Sequence, residues 1–369
     1  MGIKTSYSQN NMYIQCPKHW HIAYREGYEA VSEGASTYFG SAIDAAVSDM
    51  LDGKPNWLDV FYNKWKKSYN YGKSTVIFDN PDINYSYKDF DADLFTANHL
   101  SDLVKWANQL GFNVNNNATE AVQLYKDIAS KKKNPFKTPS KVEMQYFNRA
   151  SWLGLKAKGE ILLDAFNKQF YPKIKRVLST QTKAQIQDPN TGDIISGVID
   201  MVLEIEGYHK PIIFDLKTAS QPYKQEDIDL TQQLTLYAAM KSEEYNTDLV
   251  GYIVLSKNIQ KDSVSTCKSC GNIKNSSHRT CNAILAGDSR CGGEWDEKVV
   301  PKPEIQVMVE QKTVDQINDL LIDYGNIIHA MKQEVIYKNT DKCNNWYGGK
   351  CAFYGICHKN DYSEVRKKK

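Results

Sequence analysis

No stretch of the 369 residues approaches the ~18 consecutive apolar residues that a membrane helix needs. The best runs are short pieces such as Tyr252 to Leu255 and Pro211 to Phe214, so no membrane partner is expected. Met1 to Gln15 is polar and has no apolar core of the kind a secretory signal carries, which points to a reducing, cytoplasmic setting. Charge of one sign is also missing: 46 Lys and Arg against 44 Asp and Glu leave a net +2, so the whole-chain field does not announce a nucleic-acid binder. There is no internal repeat and no low-complexity domain. No Gly-x4-Gly-Lys-Ser/Thr loop occurs either, so a nucleotide-driven motor acting with this protein would be another chain. What is present is ordinary for a globular chain, with 41% hydrophobic and 24% charged residues. At ~150 residues per domain the length allows two to three domains, or one elaborated α/β unit with insertions.

Local charge says more than the total. Residues 130 to 141 carry Lys131, Lys132, Lys133, Lys137 and Lys141 without an acid, and residues 165 to 187 carry Lys168, Lys173, Lys175, Arg176 and Lys183 without one. Each run reads either as a solvated face or loop, or as a surface for phosphate.

The eight cysteines divide into two sets. Cys267, Cys270, Cys281 and Cys291 lie within 25 residues, in a stretch rich in Ser, Asn and Gly with almost nothing apolar to pack. Such a stretch needs a staple. In a reducing compartment a Cys-x-x-Cys knuckle with two further thiolates offers the tetrahedral sulfur cage that zinc prefers, with no open position for catalysis. The alternatives are unliganded thiols, or a site in which His278 replaces one cysteine. The second set is Cys16 with Cys343, Cys351 and Cys357, separated by most of the chain. On spacing alone these are equally a metal site or buried small hydrophobes.

Residues 6 to 66 read as helical, with an amphipathic stretch from Tyr13 to Tyr24 and a second helix opened by Gly40-Ser41, and no strand signal appears among them. Residues 85 to 130 read as helical as well, and Ser151 to Val177 contains a further helix ended near Pro172. The period then drops to two. Thr182 to Ile186, Ile194 to Glu206 and Pro211 to Leu216, separated by turns at 188–192 and at Gly207, read as a three-stranded meander. A helix over Asp227 to Ser242 with Leu230, Leu234, Tyr237 and Ala238 on one face follows, then strands Leu249 to Leu255 and Glu304 to Val309 with the cysteine-rich window between them, and a terminal helix Val314 to Gln333. The window therefore belongs at the tip of a long hairpin.

The meander carries the chemistry. Gly197-Val-Ile-Asp200 precedes Ile213-Phe-Asp215-Leu-Lys217-Thr218, and on a strand Asp215 and Lys217 share a face while Asp200 arrives from the neighbouring strand. Amid Ile, Val and Phe, two ionised carboxylates need compensation, and Mg²⁺ or Mn²⁺ supplies it through oxygen ligands. An adjacent ammonium can orient water and neutralise charge developing on a phosphoryl group. The plain alternative is acids and a lysine solvated at strand ends. Gln233 and Tyr237 lie four apart, hence on one helix face.

Taken in order, Gly197 to Asp200, Asp215 to Thr218 and Gln233 to Tyr237 resemble the motifs Gly-x-Ile-Asp, Asp-x-Lys-Thr and Gln-x3-Tyr of the PD-(D/E)xK nuclease superfamily, in its RecB/AddB-type branch. That branch includes the CRISPR-adaptation exonucleases and many phage-encoded exonucleases. The resemblance extends along the chain, because Tyr7-Ser8 through Cys16-Pro17 looks like the N-terminal Ser-x-x-x-Cys-Pro segment and the late cysteines look like the C-terminal cluster.

It implies an α/β fold with a restriction-endonuclease-like central mixed sheet flanked by helices. It further implies Asp200, Asp215 and the Leu216 carbonyl as ligands of Mg²⁺ or Mn²⁺, Lys217 as the catalytic lysine, and Gln233 with Tyr237 against nucleic acid. Where the branch has a His after Gly-x-x-Ile, this chain has Asp44, which reads equally as an alternative ligand for a hard cation or as a surface acid of its helix. The strand before Gly-x-Ile-Asp, at Ser179 to Gln185, lacks the acid often found there. The resemblance also implies that Cys16, Cys343, Cys351 and Cys357 bind one iron-sulfur (4Fe-4S) cluster, although Cys-x7-Cys is longer than the usual Cys-x2-Cys.

The expected division is a mainly helical region at 1–150, a nuclease core at 151–262 and 298–342, a zinc ribbon at 263–297, and a cysteine cluster with basic tail at 343–369. The implied activity is a metal-dependent DNA exonuclease of replication, recombination or repair, acting on DNA with accessible ends or single strands. It would work in the cytoplasm, the host's if the chain is phage-encoded, alone or beside a helicase or recombination partner. The rival expectation is a catalytically silent nucleic-acid-binding scaffold with metal-stapled modules.

Overall fold

The computed structural model of the chain describes residues 2–30, 33–67, 144–145, 152–274, 278–286, 289–344 and 350–368. The helix expected over 85–130 and the lysine run at 130–141 lie outside the described residues.

The first element is a strand. β1 (Lys4–Ser6) is too short for a period-two pattern to show, and Ser6 ends it by capping α1 (Tyr7–Gln15), its hydroxyl accepting the Gln9 amide at 3.3 Å. α2 (Pro17–Trp20), β2 (Tyr28–Ala30) and β3 (Glu33–Gly34) follow, so the helical reading of 6–66 holds for most of its length and is corrected at these short strands. α3 (Ala35–Leu51) begins before Gly40-Ser41 rather than at it. One glycine inside a helix costs about 1 kcal/mol against alanine, and the buried Phe39, Ala42 and Ile43 around it outweigh that. α4 (Trp57–Lys67) follows, and β4 (Met144–Gln145) pairs with β3.

α5 (Trp152–Ala165) tightens through a turn that contains Pro172 into β5 (Ile174–Gln187), which starts well before the expected Thr182. β6 (Ile194–Ile205) and β7 (Ile212–Ala219) complete the meander. The turn between β5 and β6 is set by Asp188, whose carboxylate accepts the Asn190 amide at 2.7 Å, and by Gly192 at φ +72°.

The helix expected over 227–242 is two helices, α6 (Gln225–Asp229) and α7 (Gln232–Tyr245). Thr231 caps α7, and the Lys312 ammonium donates to the Ile228 and Asp229 carbonyls at 2.8 Å, satisfying the end of α6. Leu230 at the break is 81% exposed and does not join the face of Leu234, Tyr237 and Ala238.

β8 (Leu249–Ser256) runs parallel to β7; β9 (Gln260–Cys267) and β10 (Trp295–Lys302) form a separate two-stranded arm; and β11 (Ile305–Gln311) returns antiparallel to β8. The cysteine-rich window thus sits at the end of that arm. α8 (Val314–Lys332), α9 (Tyr354–Lys359) and β12 (Val365–Lys367) finish the chain, and β12 pairs with β2, so the basic tail is docked on the N-terminal region.

The central sheet is mixed and six-stranded, in the order β1-β6-β7-β8-β11 with β5 along the other edge of β6. α3, α4 and α5 cover one face around Phe39, Phe61, Trp65, Phe166 and Phe214, while α7 covers the other around Ile199, Ile213, Leu234 and Val254. Period two explains β7: Ile212, Phe214 and Leu216 enter the first core, Ile213 the second, and Asp215 and Lys217 follow Ile213 onto the α7 side. Gly251 permits the close approach of β8 to this layer, since a Cβ there would stand 2.4 Å from Phe214 Cε1. No helix among the described residues is long and apolar enough to cross a membrane.

Candidate active site

One edge of β6 is shared by two strands. β1 pairs in parallel with residues 194–196, and β7 pairs antiparallel with residues 201–203, leaving 197–200 without a strand partner on that side among the described residues. At this fork β7 parts from β6, and side chains replace the ladder. Asp200 Oδ2 accepts the Leu216 amide at 2.8 Å, and the Tyr237 hydroxyl donates to the Val198 carbonyl at 2.6 Å. Gly197 makes room for that tyrosine, since a Cβ would meet its ring at 3.1 Å. Because the N–H and C=O of a strand residue point to the same side, the Leu216 carbonyl opens into the fork as its amide does.

Asp215, Lys217, Gln233 and Tyr237 form a connected set. The Lys217 ammonium stands 2.6 Å from Asp215 Oδ2. Gln233 donates to Asp215 Oδ1 at 2.8 Å and to the Tyr237 hydroxyl at 2.9 Å, and accepts from Lys217 at 3.2 Å. Asp215 is only 2% exposed, and its Oδ2 has no well-directed hydrogen bond despite the nearby ammonium. A carboxylate this buried, beside a second carboxylate and an open main-chain carbonyl, makes an all-oxygen donor set that fits a hard divalent cation.

The electrostatics agree. Burial foremost, then the Asp215 and Asp44 carboxylates, push the Asp200 pKa up to about 8 against the opposing Leu216 amide and Lys217. Burial likewise raises Asp215. Burial opposes the Lys217 ammonium, but Asp215 outweighs it, so Lys217 is raised and stays charged. Like charges crowded in a poorly solvated fork are the condition a bound cation relieves.

Asp44 reaches the centre from α3. Both of its carboxylate oxygens accept the Gln181 amide, at 3.0 and 3.1 Å, and burial raises its pKa. Gln181 holds a left-handed backbone, φ +45°, between the pairs Thr180↔Met201 and Thr182↔Ile199, which sets it opposite Asp200. Sequence reading noted only that this strand lacks an acid. No local signal marks the glutamine, because a left-handed non-glycine residue is set by tertiary context. Tyr252 is a second residue missed: it is the register partner of Asp215, hydrogen-bonds Thr231 at 2.7 Å, and its ring centroid is 5.9 Å from the Lys217 nitrogen.

Both cysteine sets converge. In the ribbon window Cys267 and Cys291 sulfurs are 3.5 Å apart and those of Cys270 and Cys281 are 3.7 Å apart. Tetrahedral zinc with Zn–S near 2.3 Å requires about 3.8 Å. Local burial works against the Cys267 thiolate, yet the Cys270 and Ser269 amides bring its pKa down to about 6. His278 keeps to the side, accepting Trp295 Nε1 on its carbonyl at 3.0 Å. Cys16, Cys343, Cys351 and Cys357 line one pocket of about 130 Å³. Two histidines that sequence reading passed over stand beside them, His19 at 3.6 Å from Cys351 Sγ and His358 at 3.4 Å from Cys343 Sγ. Among the described residues the ribbon thiolates are the one group of three or more His, Cys, Asp or Glu whose ligand atoms lie within 4.8 Å of one another. The carboxylates of the fork and the second cysteine set are more widely spread.

A family profile described as the PD-(D/E)XK nuclease superfamily matches residues 118–358, more than half of the chain. Among curated proteins none matches in sequence. Solved structures are similar, among them the following two. A Eubacterium rectale protein named as a candidate exonuclease is 10% identical, with a TM-score of 0.29 over 74% of this chain and 75% of its own. The protein SSO0001 is 13% identical, with a TM-score of 0.25 over 65% of this chain and 79% of its own.

Proposed function

The chain belongs to the PD-(D/E)XK nuclease superfamily, and from that premise we propose that it is a Mg²⁺- or Mn²⁺-dependent DNA exonuclease of the RecB/AddB-type branch. Membership itself carries the coarser statement, a metal-dependent nuclease with nucleic acid as substrate. The observation that carries the finer one is the fork: Asp200, Asp215 and Lys217 meet there, and Gln233 and Tyr237 lock them in place. The motifs that supply these residues occur in the order that branch has them.

Asp200, Asp215 and the Leu216 carbonyl would hold the cation, with Asp44 alongside; when bound it supplies Lewis acidity to a phosphoryl oxygen. The protein's own part is positional and electrostatic. Lys217, kept charged by Asp215, faces the phosphate and stabilises the negative charge that grows as a water oxygen bonds to phosphorus and the bond to the leaving sugar oxygen breaks. The proton released by the water goes to solvent, and solvent protonates the leaving oxygen. Gln233 holds Lys217 and Asp215 at fixed separation, and Tyr237 ties Gln233 to the open edge of β6.

The same reading assigns a 4Fe-4S cluster to Cys16, Cys343, Cys351 and Cys357. These four thiolates line one pocket, more widely spread than those of the ribbon, and would hold such a cluster between the two ends of the chain. It assigns a structural zinc to Cys267, Cys270, Cys281 and Cys291, in a ribbon at 263–297 inserted in a core of 151–262 and 298–342. Cellular work in the cytoplasm, a phage origin, and a helicase or recombination partner belong to this proposal.

Digestion of end-labelled linear and of circular DNA, single- and double-stranded, with Mg²⁺, Mn²⁺ or EDTA tests it, with RNA in parallel. The expected result is metal-dependent loss from DNA ends with circles spared. Cleaved circles overturn the exonuclease mode, cleavage of RNA alone overturns the substrate, and no cleavage under any condition promotes the silent scaffold.

A further inference from the structure

A groove of about 810 Å³ opens from the fork along the free edge of β6, lined by Lys4, Ser6, Ser8, Lys183, Val198 and Gln233 among others. Gln233 and Tyr237 belong to both the groove and the catalytic set, so the two are continuous. Among the described residues no carboxylate lines it.

Lys4 comes from β1 and Lys183 from β5, on opposite edges of β6, and the parallel pairing Lys4↔Ile194 with the antiparallel pairing Lys183↔Val198 brings them to one opening. Both lysines are exposed, and neither is ion-paired among the described residues. Within the basic run Lys168 is spent on Asp164 and Arg176 on Glu204, and Lys183 is the member that lines the groove. Ser196 is also committed, its hydroxyl donating to the Thr5 carbonyl at 2.9 Å, whereas Ser8 is exposed at the first turn of α1. Val198, 42% exposed, gives the floor an apolar patch suited to a sugar or base edge.

We propose that this groove seats the substrate strand beside the scissile bond, with Lys4 and Lys183 gripping the neighbouring phosphodiester of a single-stranded end. An apolar floor at Val198 between flanking lysines suits the unpaired bases and phosphates of one strand. The inference rests on the nuclease reading and extends it to a phosphate subsite beside the scissile bond.

Fluorescence anisotropy with a short labelled single-stranded oligonucleotide in EDTA, where nothing is cut, tests it on the parent protein and on Lys4→Gln, Lys183→Gln and the double variant. Each lost phosphate contact should lower the slope of log K against log salt by about 0.7, and the double variant should bind roughly tenfold more weakly at moderate salt. A second set of oligonucleotides carries one neutral methylphosphonate linkage, moved stepwise from the cleaved bond. One position should weaken the parent and leave the double variant indifferent. A double variant with the parent's slope, or one equally sensitive to the neutral linkage, overturns the subsite while the parent's own binding and cleavage keep the nuclease reading. A parent that neither binds nor cuts any oligonucleotide overturns both.

Discussion

Replacing Asp200 with asparagine should make the metal-free protein more stable. Asp200 lies in the fork with its Oδ2 on the Leu216 amide at 2.8 Å, and burial, then Asp215 and Asp44, raise its pKa to about 8. In the unfolded chain an aspartic acid titrates near 3.9. A raised native value means that its contribution is intact below about pH 4, falls as the pH climbs, and is lost by about pH 8. At about 1.4 kcal/mol per unit the full window sets an upper bound near 6 kcal/mol. Water entering the fork and relaxation of the neighbouring carboxylates relieve much of that, which leaves about 1–3 kcal/mol. Asparagine has the same shape, keeps an oxygen for the Leu216 amide and carries no charge, so it escapes the penalty. Thermal unfolding in EDTA at about pH 4, 6 and 8.5 should show coincident Tm values at the lowest pH and a lead of a few degrees for Asp200→Asn at the highest. Adding Mn²⁺ should then raise the parent's Tm and not the variant's. A variant that melts below the parent at high pH, or whose offset is the same at every pH, refutes the account of the fork as a site of crowded carboxylates.

Gln233→Leu removes the bridge among Asp215, Lys217 and Tyr237; at about 1.5–3 kcal/mol for a hydrogen bond to a charged group, kcat should fall roughly 10- to 100-fold with the fold retained by circular dichroism. Replacing residues 263–297 with a short Gly/Ser turn should remove one zinc per chain by metal analysis and leave cleavage of short oligonucleotides, because β8 and β11 pair without the arm. Protein purified without oxygen should be brown and bleach on reduction, and Cys16→Ser or Cys351→Ser should lose the colour; iron-free protein from such a preparation contradicts the cluster.

How far the sequence reveals this molecule depends on how local each cause is. Asp215 and Lys217 were placed on one face by period two, and Gln233 and Tyr237 by the helical repeat, because both are rules of a single element. Asp200 followed once the meander was read, since a tight turn forces the neighbouring strand to pair. The Lys4–Ser6 strand was invisible: three residues carry no period, and only pairing with Ile194–Ser196 far along the chain makes them a strand. Gln181 was passed over for the same reason, its left-handed backbone being imposed by the ladder opposite Asp200. Leu230 was misassigned because the helical repeat continues through it while Thr231 and Lys312 break the helix there. His19 and His358 carry no spacing signal toward the cysteines, and their positions follow from the docking of the two chain ends, where β12 pairs with β2.

The central claim is that Asp200, Asp215 and Lys217 act as one catalytic set at the fork of β6 and β7. Initial rates on end-labelled DNA with saturating Mg²⁺ or Mn²⁺, measured for the parent and for Asp200→Ala, Asp215→Ala and Lys217→Ala with unfolding monitored in parallel, test it directly. Each folded variant should lose a factor on the order of 10² or more, as expected when one oriented electrostatic group is removed. Three folded variants that cut at the parent's rate would contradict it.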